Sequence, residues 1–94
     1  MKIRWTAEAY QDRLDIWTYL PARNETAALR VDELISESVS QLSDFPMLGH
    51  EGEVPGTREL TPHPRYRLVY EIFGETVWIL TVIHTSRERP PLRA

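Results

Sequence analysis

Cysteine is absent from the 94 residues, so neither a disulfide nor a thiolate metal site can staple the chain, and a reducing cytoplasm is the simplest setting for it. Lysine is nearly absent: ten of the eleven cations are arginine, and the exception is Lys2. With a net charge of −3 and an isoelectric point near 5.6, the chain is a poor match to a protein that holds a polyanion by charge alone. Direct sequence-specific DNA binding is therefore not expected of it. Long apolar runs are missing as well, and the N-terminus lacks an apolar stretch behind basic residues, which argues against a spanning helix and a secretory signal. No composition shift, repeat or low-complexity segment divides the chain. A hydrophobic content of 41% suits one domain over residues 1–94 with a single modest core.

The charge that is present is unevenly placed. Residues 1–55 carry five basic and ten acidic groups, and residues 56–94 carry six arginines and four glutamates, so the halves are −5 and +2. At the N-terminus Ile3 and Trp5 alternate with Lys2 and Arg4, as in a short strand with one buried face. Thr6 offers an N-cap oxygen, and Glu8 sits in the first turn, where the helix dipole favours a negative charge. In the helix that follows, Tyr10, Leu14 and Trp17 form an apolar stripe widened by Ile16 and Leu20, with Asp12, Arg13 and Asp15 outside it. Pro21 ends this helix and Asn24 caps a second one. Ala28, Val31, Leu34 or Ile35, Val39 and Leu42 mark one face of about five turns. The connection is so short that the two helices should form an antiparallel hairpin.

Ser43-Asp44-Phe45-Pro46 ends the second helix, and residues 47–56 read as a surface loop. His50, Glu51 and Glu53 in that loop are expected to be solvated, so neither a metal nor a cofactor site is expected. Gly56 to Leu60 leads into a strand that Thr61-Pro62-His63-Pro64 closes. From Thr85 to Ala94, Pro90-Pro91 interrupts a basic tail carrying Arg87, Arg89 and Arg93.

The centre of the chain is Tyr66 to His84, where two apolar runs flank Phe73-Gly74-Glu75-Thr76. Gly takes the positive φ of a type II′ turn without steric cost, so this is a β-hairpin with Gly74-Glu75 as its loop. An uninterrupted register then pairs Ile72 with Val77, Tyr70 with Ile79, Leu68 with Thr81 and Tyr66 with Ile83, all on one face. That face is expected to be core: Leu68, Tyr70, Ile72, Val77 and Ile79 under the helices, together with Trp5, Leu14, Trp17, Val31, Ile35 and Leu42. The opposite face carries Arg65, Arg67, Val69, Glu71, Trp78, Leu80, Val82 and His84. Its strip of Val69, Trp78, Leu80 and Val82 would be exposed in a monomer, and such strips mark interfaces. The element order, strand, helix, helix and three strands, gives a two-layer α+β fold with the helical hairpin packed on one face of an antiparallel sheet.

The segments Ile3-Arg4-Trp5-Thr6, Leu42-Ser43-Asp44-Phe45-Pro46 ahead of Gly49, Thr57-Arg58-Glu59-Leu60, Tyr66-Arg67-Leu68-Val69-Tyr70-Glu71-Ile72 and Ile79-Leu80-Thr81-Val82-Ile83-His84 with Arg87 occur in this order along nearly the whole chain. Together they resemble the RelE/ParE family of toxins from type II toxin–antitoxin systems. The resemblance implies the same β-α-α-β-β-β fold and a cognate antitoxin that holds the toxin inactive in a heteromeric complex. Two activities occur in the family, ribosome-dependent cleavage of mRNA and poisoning of DNA gyrase.

The nuclease alternative would place Arg67 at the family's catalytic arginine. Arg65 and His84 would lie beside it and Arg58 on the neighbouring strand, supplying acid, base and cationic groups. The bland roles for these residues are a salt bridge from Arg67 to Glu59 or Glu71 and a strand-end His84 satisfied by a carbonyl. A lysine-rich ribosome-binding surface is missing, and Thr85-Ser86 stands where an aromatic or basic pair would suit a nuclease. Ile83-His84 followed by Arg87 is more similar to the ParE side of the family. The resemblance therefore implies a gyrase poison with His84, Arg87 and Arg89 as target contacts. A third reading keeps only an antitoxin-binding, regulatory module. The antitoxin is expected over Val69, Trp78, Leu80 and Val82 or along the helical hairpin, with acidic residues meeting Arg65, Arg67 or Arg87.

Overall fold

The computed structural model describes residues 1–19 and 25–85. The inter-helix residues Leu20, Pro21 and Asn24 and the tail with Arg87, Arg89 and Arg93 lie outside the described residues. Strand β1 (Lys2–Trp5) is followed by helices α1 (Ala7–Tyr19) and α2 (Glu25–Asp44). Four further strands follow: β2 (His50–Glu51), β3 (Thr57–His63), β4 (Tyr66–Phe73) and β5 (Thr76–His84). The five strands form one sheet in the order β1-β5-β4-β3-β2. The helices cover one face, giving the two-layer α+β arrangement expected from the element order.

Local chemistry accounts for the start of α1 and for the β4–β5 turn. Thr6 caps α1, its hydroxyl oxygen accepting the Ala9 N–H at 3.1 Å. Gly74 turns the β4–β5 hairpin with φ of +62°, and no described non-glycine residue has positive φ, which is the type II′ pattern. Ala28, Val31, Ile35, Val39 and Leu42 are the buried residues of α2, the stripe that its spacing predicts. Val31, Ile35, Val39 and Leu42 pack with the fully buried Leu68, Tyr70, Val77 and Ile79. Trp5 and Ile72 are partly buried at the margin of this core.

Several expectations change. The sheet is mixed, because β1 runs parallel to β5 and pairs Lys2 with Thr76 and Trp5 with Ile79. A two-residue strand, β2, appears where a loop was expected, pairing His50 with Glu59 and Glu51 with Arg58. β3 does not stop at Thr61; a register shift between Leu60 and His63 absorbs Pro62, so the strand reaches His63 opposite Tyr66. In α1 the apolar stripe points the wrong way. Ala9 and Ile16 are buried, Trp17 is half-buried, and Tyr10 and Leu14 are 60% and 42% exposed. The helix is turned by Asp12 and Arg13, whose polar groups bind β5 and α2 and so face inward.

The hairpin register holds from the turn to Tyr70 opposite Ile79 and then shifts by one residue. Val69 pairs with Thr81, Leu68 with Val82, Arg67 with Ile83 and Tyr66 with His84, leaving Leu80 as the extra residue of a β-bulge. A shift of one residue reverses every face beyond it. Val82 therefore joins the core under the helices, and Ile83 takes its place on the other face.

Candidate functional site

On the helix-free face, Arg67 stands on β4 beside Glu59 of β3, with Arg67 Nη1 3.3 Å from Glu59 Oε1. The Glu59 side chain is only 6% exposed against 28% for Arg67. Its other oxygen, Oε2, lies 3.5 Å from the Glu53 N–H, and a Cβ added at Gly52 would meet it at 3.2 Å. The loop after β2 therefore lies over this part of the sheet. Val69 has no exposure and Val82 is buried in the core, so neither is part of an exposed strip. Trp78, Leu80 and Ile83 are the half-exposed apolar residues of the strand instead.

The arginines and histidine predicted to stand together are separated. Arg65 is exposed in the turn between β3 and β4, where its N–H donates to His63 Nδ1 at 3.0 Å. His84 is opposite Tyr66, which the bulge places on the helix face, away from Arg67. Its ring meets the Tyr66 ring edge-on at 5.0 Å between centroids, and His63 lies 5.9 Å from Tyr66 on the other side. Arg58, opposite Tyr70, also leaves the Arg67 face. Its Nη2 donates to the carbonyls of Met47 and Gly49. The Tyr70 hydroxyl donates to the Pro46 carbonyl at 2.7 Å and accepts the Gly49 N–H at 2.9 Å. Arg58 and Tyr70 thus clamp the Phe45 to Gly49 loop, and a Cβ at Gly49 would strike the Glu59 carbonyl at 2.6 Å. Arg58 is here a structural cation.

The outward turn of α1 builds a second feature. Trp5, Tyr10, Leu14, Trp17, Arg13 and Asp32 line a groove of about 310 Å³. Arg13 forms its floor: the guanidinium is 5.1 Å from the Trp5 ring centroid and bonds both oxygens of Asp32, at 2.6 and 3.2 Å. Two bonds in a planar fork fix α1 against α2 and hold the aromatic walls in place.

The sequence matches the ParE toxins of parDE type II toxin–antitoxin systems over residues 3–89. The chain belongs to this family. A candidate toxin of Sinorhizobium fredii, Y4kP, is 34% identical to this toxin over 90 residues, 95% of this chain and 93% of that protein. A structure of the chromosomal ParDE toxin–antitoxin system of P. aeruginosa superposes with a TM-score of 0.76 at 27% identity, covering 89% of this toxin and 95% of that chain. The YoeB/ParE toxin of Agrobacterium tumefaciens shares the fold, with a TM-score of 0.67 at 20% identity over 89% of this chain and 98% of its own. Among the described residues no helix is long and apolar enough to cross a membrane.

Sequence reasoning missed two parts of this toxin's surface chemistry. The groove was hidden because Tyr10 and Leu14 look like core at helical spacing; the inward-bonding Asp12 and Arg13 between them carry the contrary signal. Asp12 itself falls outside the apolar stripe, yet its carboxylate Oδ2 accepts both the Thr81 hydroxyl at 2.6 Å and the Val82 N–H at 3.0 Å.

Proposed function

We propose that this toxin inhibits growth by poisoning DNA gyrase through protein–protein contacts and is neutralised by a cognate antitoxin. The observation that carries the reading is the separation of Arg67 from His84. Metal-free RNA cleavage needs a base, an acid and a cation converging on one phosphate. Here the guanidinium that would stabilise the phosphate is tied to nearly buried Glu59, and the imidazole lies against Tyr66 on the other face. The low cation content leaves a charged RNA groove unsupported as well. Recognition of a protein target asks only for a shaped surface, which the His84 end of β5 and the basic residues Arg87 and Arg89 beyond it would supply.

The antitoxin's place on this reading is the α1 groove. Tyr10, Leu14 and Trp17 stand at helical spacing there, and an apolar segment that orders on binding would bury them. Trp78 and Leu80 offer a second apolar surface on the opposite face.

Two variants expressed without antitoxin test the target. Deleting Arg87 to Ala94 should abolish DNA breakage while the domain stays folded, and Arg67→Ala should leave breakage intact. On the nuclease reading Arg67→Ala would slow message cleavage by about two orders of magnitude or more. Intact DNA beside messages cut within codons would overturn the gyrase reading. Absence of growth inhibition on expression of the wild-type chain, with antitoxin binding retained, would favour the regulatory module.

A further inference from the structure

Asp12 holds the point at which the β4–β5 ladder breaks. Its Oδ2 accepts the Thr81 hydroxyl and the Val82 N–H, the two residues directly past the extra residue Leu80. Thr6, which caps α1, also donates its hydroxyl to the Leu80 carbonyl at 3.0 Å, and its N–H donates to the Ile79 carbonyl at 3.0 Å. β1 pairs with β5 only as far as Trp5 opposite Ile79, so the start of α1 takes over the strand's outer edge where β1 leaves it. A bulge disrupts the ladder and frees backbone groups. Here the helix supplies their partners.

The apolar pattern by itself does not ask for the bulge. Past Ile79 the strand reads Leu80-Thr81-Val82-Ile83-His84. With the bulge, Val82 and His84 stand on the helix face and Ile83 on the open face. Without it, Thr81 and Ile83 would stand on the helix face, and Leu80, Val82 and His84 would share the open face with Arg67. One β-branched apolar residue would replace another in the core, so burial separates the two registers only weakly. The charge-assisted bond from the Val82 N–H to Asp12 belongs to the bulged register, because in an unbroken ladder that N–H would turn toward β4.

We infer that Asp12 is the positioning residue that selects this register, keeping His84 with Tyr66 and apart from Arg67. In the other register the histidine and the arginine stand on one face, the arrangement that metal-free RNA cleavage requires. A single carboxylate on α1 thereby determines which chemistry the end of β5 presents. The register assignment stands on the geometry, and its consequence for toxicity rests on the function proposed above.

Cross-strand NOEs in the full-length toxin read the register directly. Wild type should give Tyr66–His84 and Leu68–Val82 contacts, and Asp12→Ala should replace them with Tyr66–Ile83 and Leu68–Thr81. Deleting Leu80 from Asp12→Ala should restore the wild-type contacts, because the ladder then reaches the same partners without a bulge. Asp12→Ala that keeps the wild-type contacts would overturn the inference. If Asp12→Ala does not fold, the deletion variant decides alone: folded with wild-type contacts it supports the inference, unfolded it overturns it. Killing on expression should fall by about tenfold or more in Asp12→Ala and recover with the deletion, the scale of losing a central contact. Full killing by a register-shifted Asp12→Ala would remove the target contact at His84 and leave the register assignment standing.

Discussion

From the Gly74 turn to Ile79, β5 has a strand on each side; from Leu80 to His84 it has β4 on one side and the start of α1 on the other. The first half is a regular ladder. The second is bulged, and its outer backbone groups are met by the hydroxyl of Thr6 and the carboxylate of Asp12. A strand flanked by two strands inherits its register from the turn. Where a helix replaces one neighbour, side chains can bond single backbone groups and set a different register. The half that departs from the ladder is also the half that carries His84, so the irregularity and the candidate site share one cause.

The largest expected effect lies in the regular half. Ile79 is fully buried and has the same partner in either register, so Ile79→Ala should lower unfolding free energy by about 2–5 kcal/mol in a denaturant titration. The bulged half gives a sharper contrast between adjacent residues. Val82→Ser should destabilise by about 2–4 kcal/mol, because it removes apolar packing and buries a hydroxyl. Ile83→Ser should change stability by less than about 1.5 kcal/mol. An uninterrupted ladder predicts the reverse order, so equal or inverted values would remove the bulge from the account.

Smaller effects probe the two faces. Glu59→Ala strips Arg67 of its carboxylate partner at the nearly buried end of the pair and should cost about 1.5–3 kcal/mol, read by the same titration. If stability is unchanged, Arg67 is freer to engage a ligand than the geometry says. Leu14→Ser on the exposed side of α1 should shift stability by no more than about 0.5 kcal/mol. It should nevertheless weaken antitoxin binding by about tenfold or more in a titration of purified partners. Unchanged affinity would move the antitoxin off the groove.

The same contrast shows what was legible in the sequence. α2 was readable because its inward face is apolar throughout, from Ala28 to Leu42. The hairpin turn was readable because Gly74 fits a conformation that few residues tolerate. α1 was readable as a helix from its Thr6 cap but not in its facing, because its inward side includes Asp12 and Arg13, and periodicity counts polar residues as outward. The bulge was invisible because Val82 and Ile83 suit either face. β2, two residues long, has no room for a pattern, and the parallel approach of β1 to β5 leaves no trace in alternation. Of the candidate site, the pairing of Arg67 with Glu59 was among the readings available from the sequence. The parting of Arg67 from His84 depended on a bond from a distant helix.

Supercoiling of relaxed plasmid by gyrase, with purified toxin added and a reconstituted translation system run in parallel, tests the central claim most directly. The account predicts that the toxin blocks supercoiling or traps cleaved DNA with gyrase, that equimolar antitoxin prevents this, and that messages on translating ribosomes stay intact. Unaffected supercoiling together with truncated messages would contradict it.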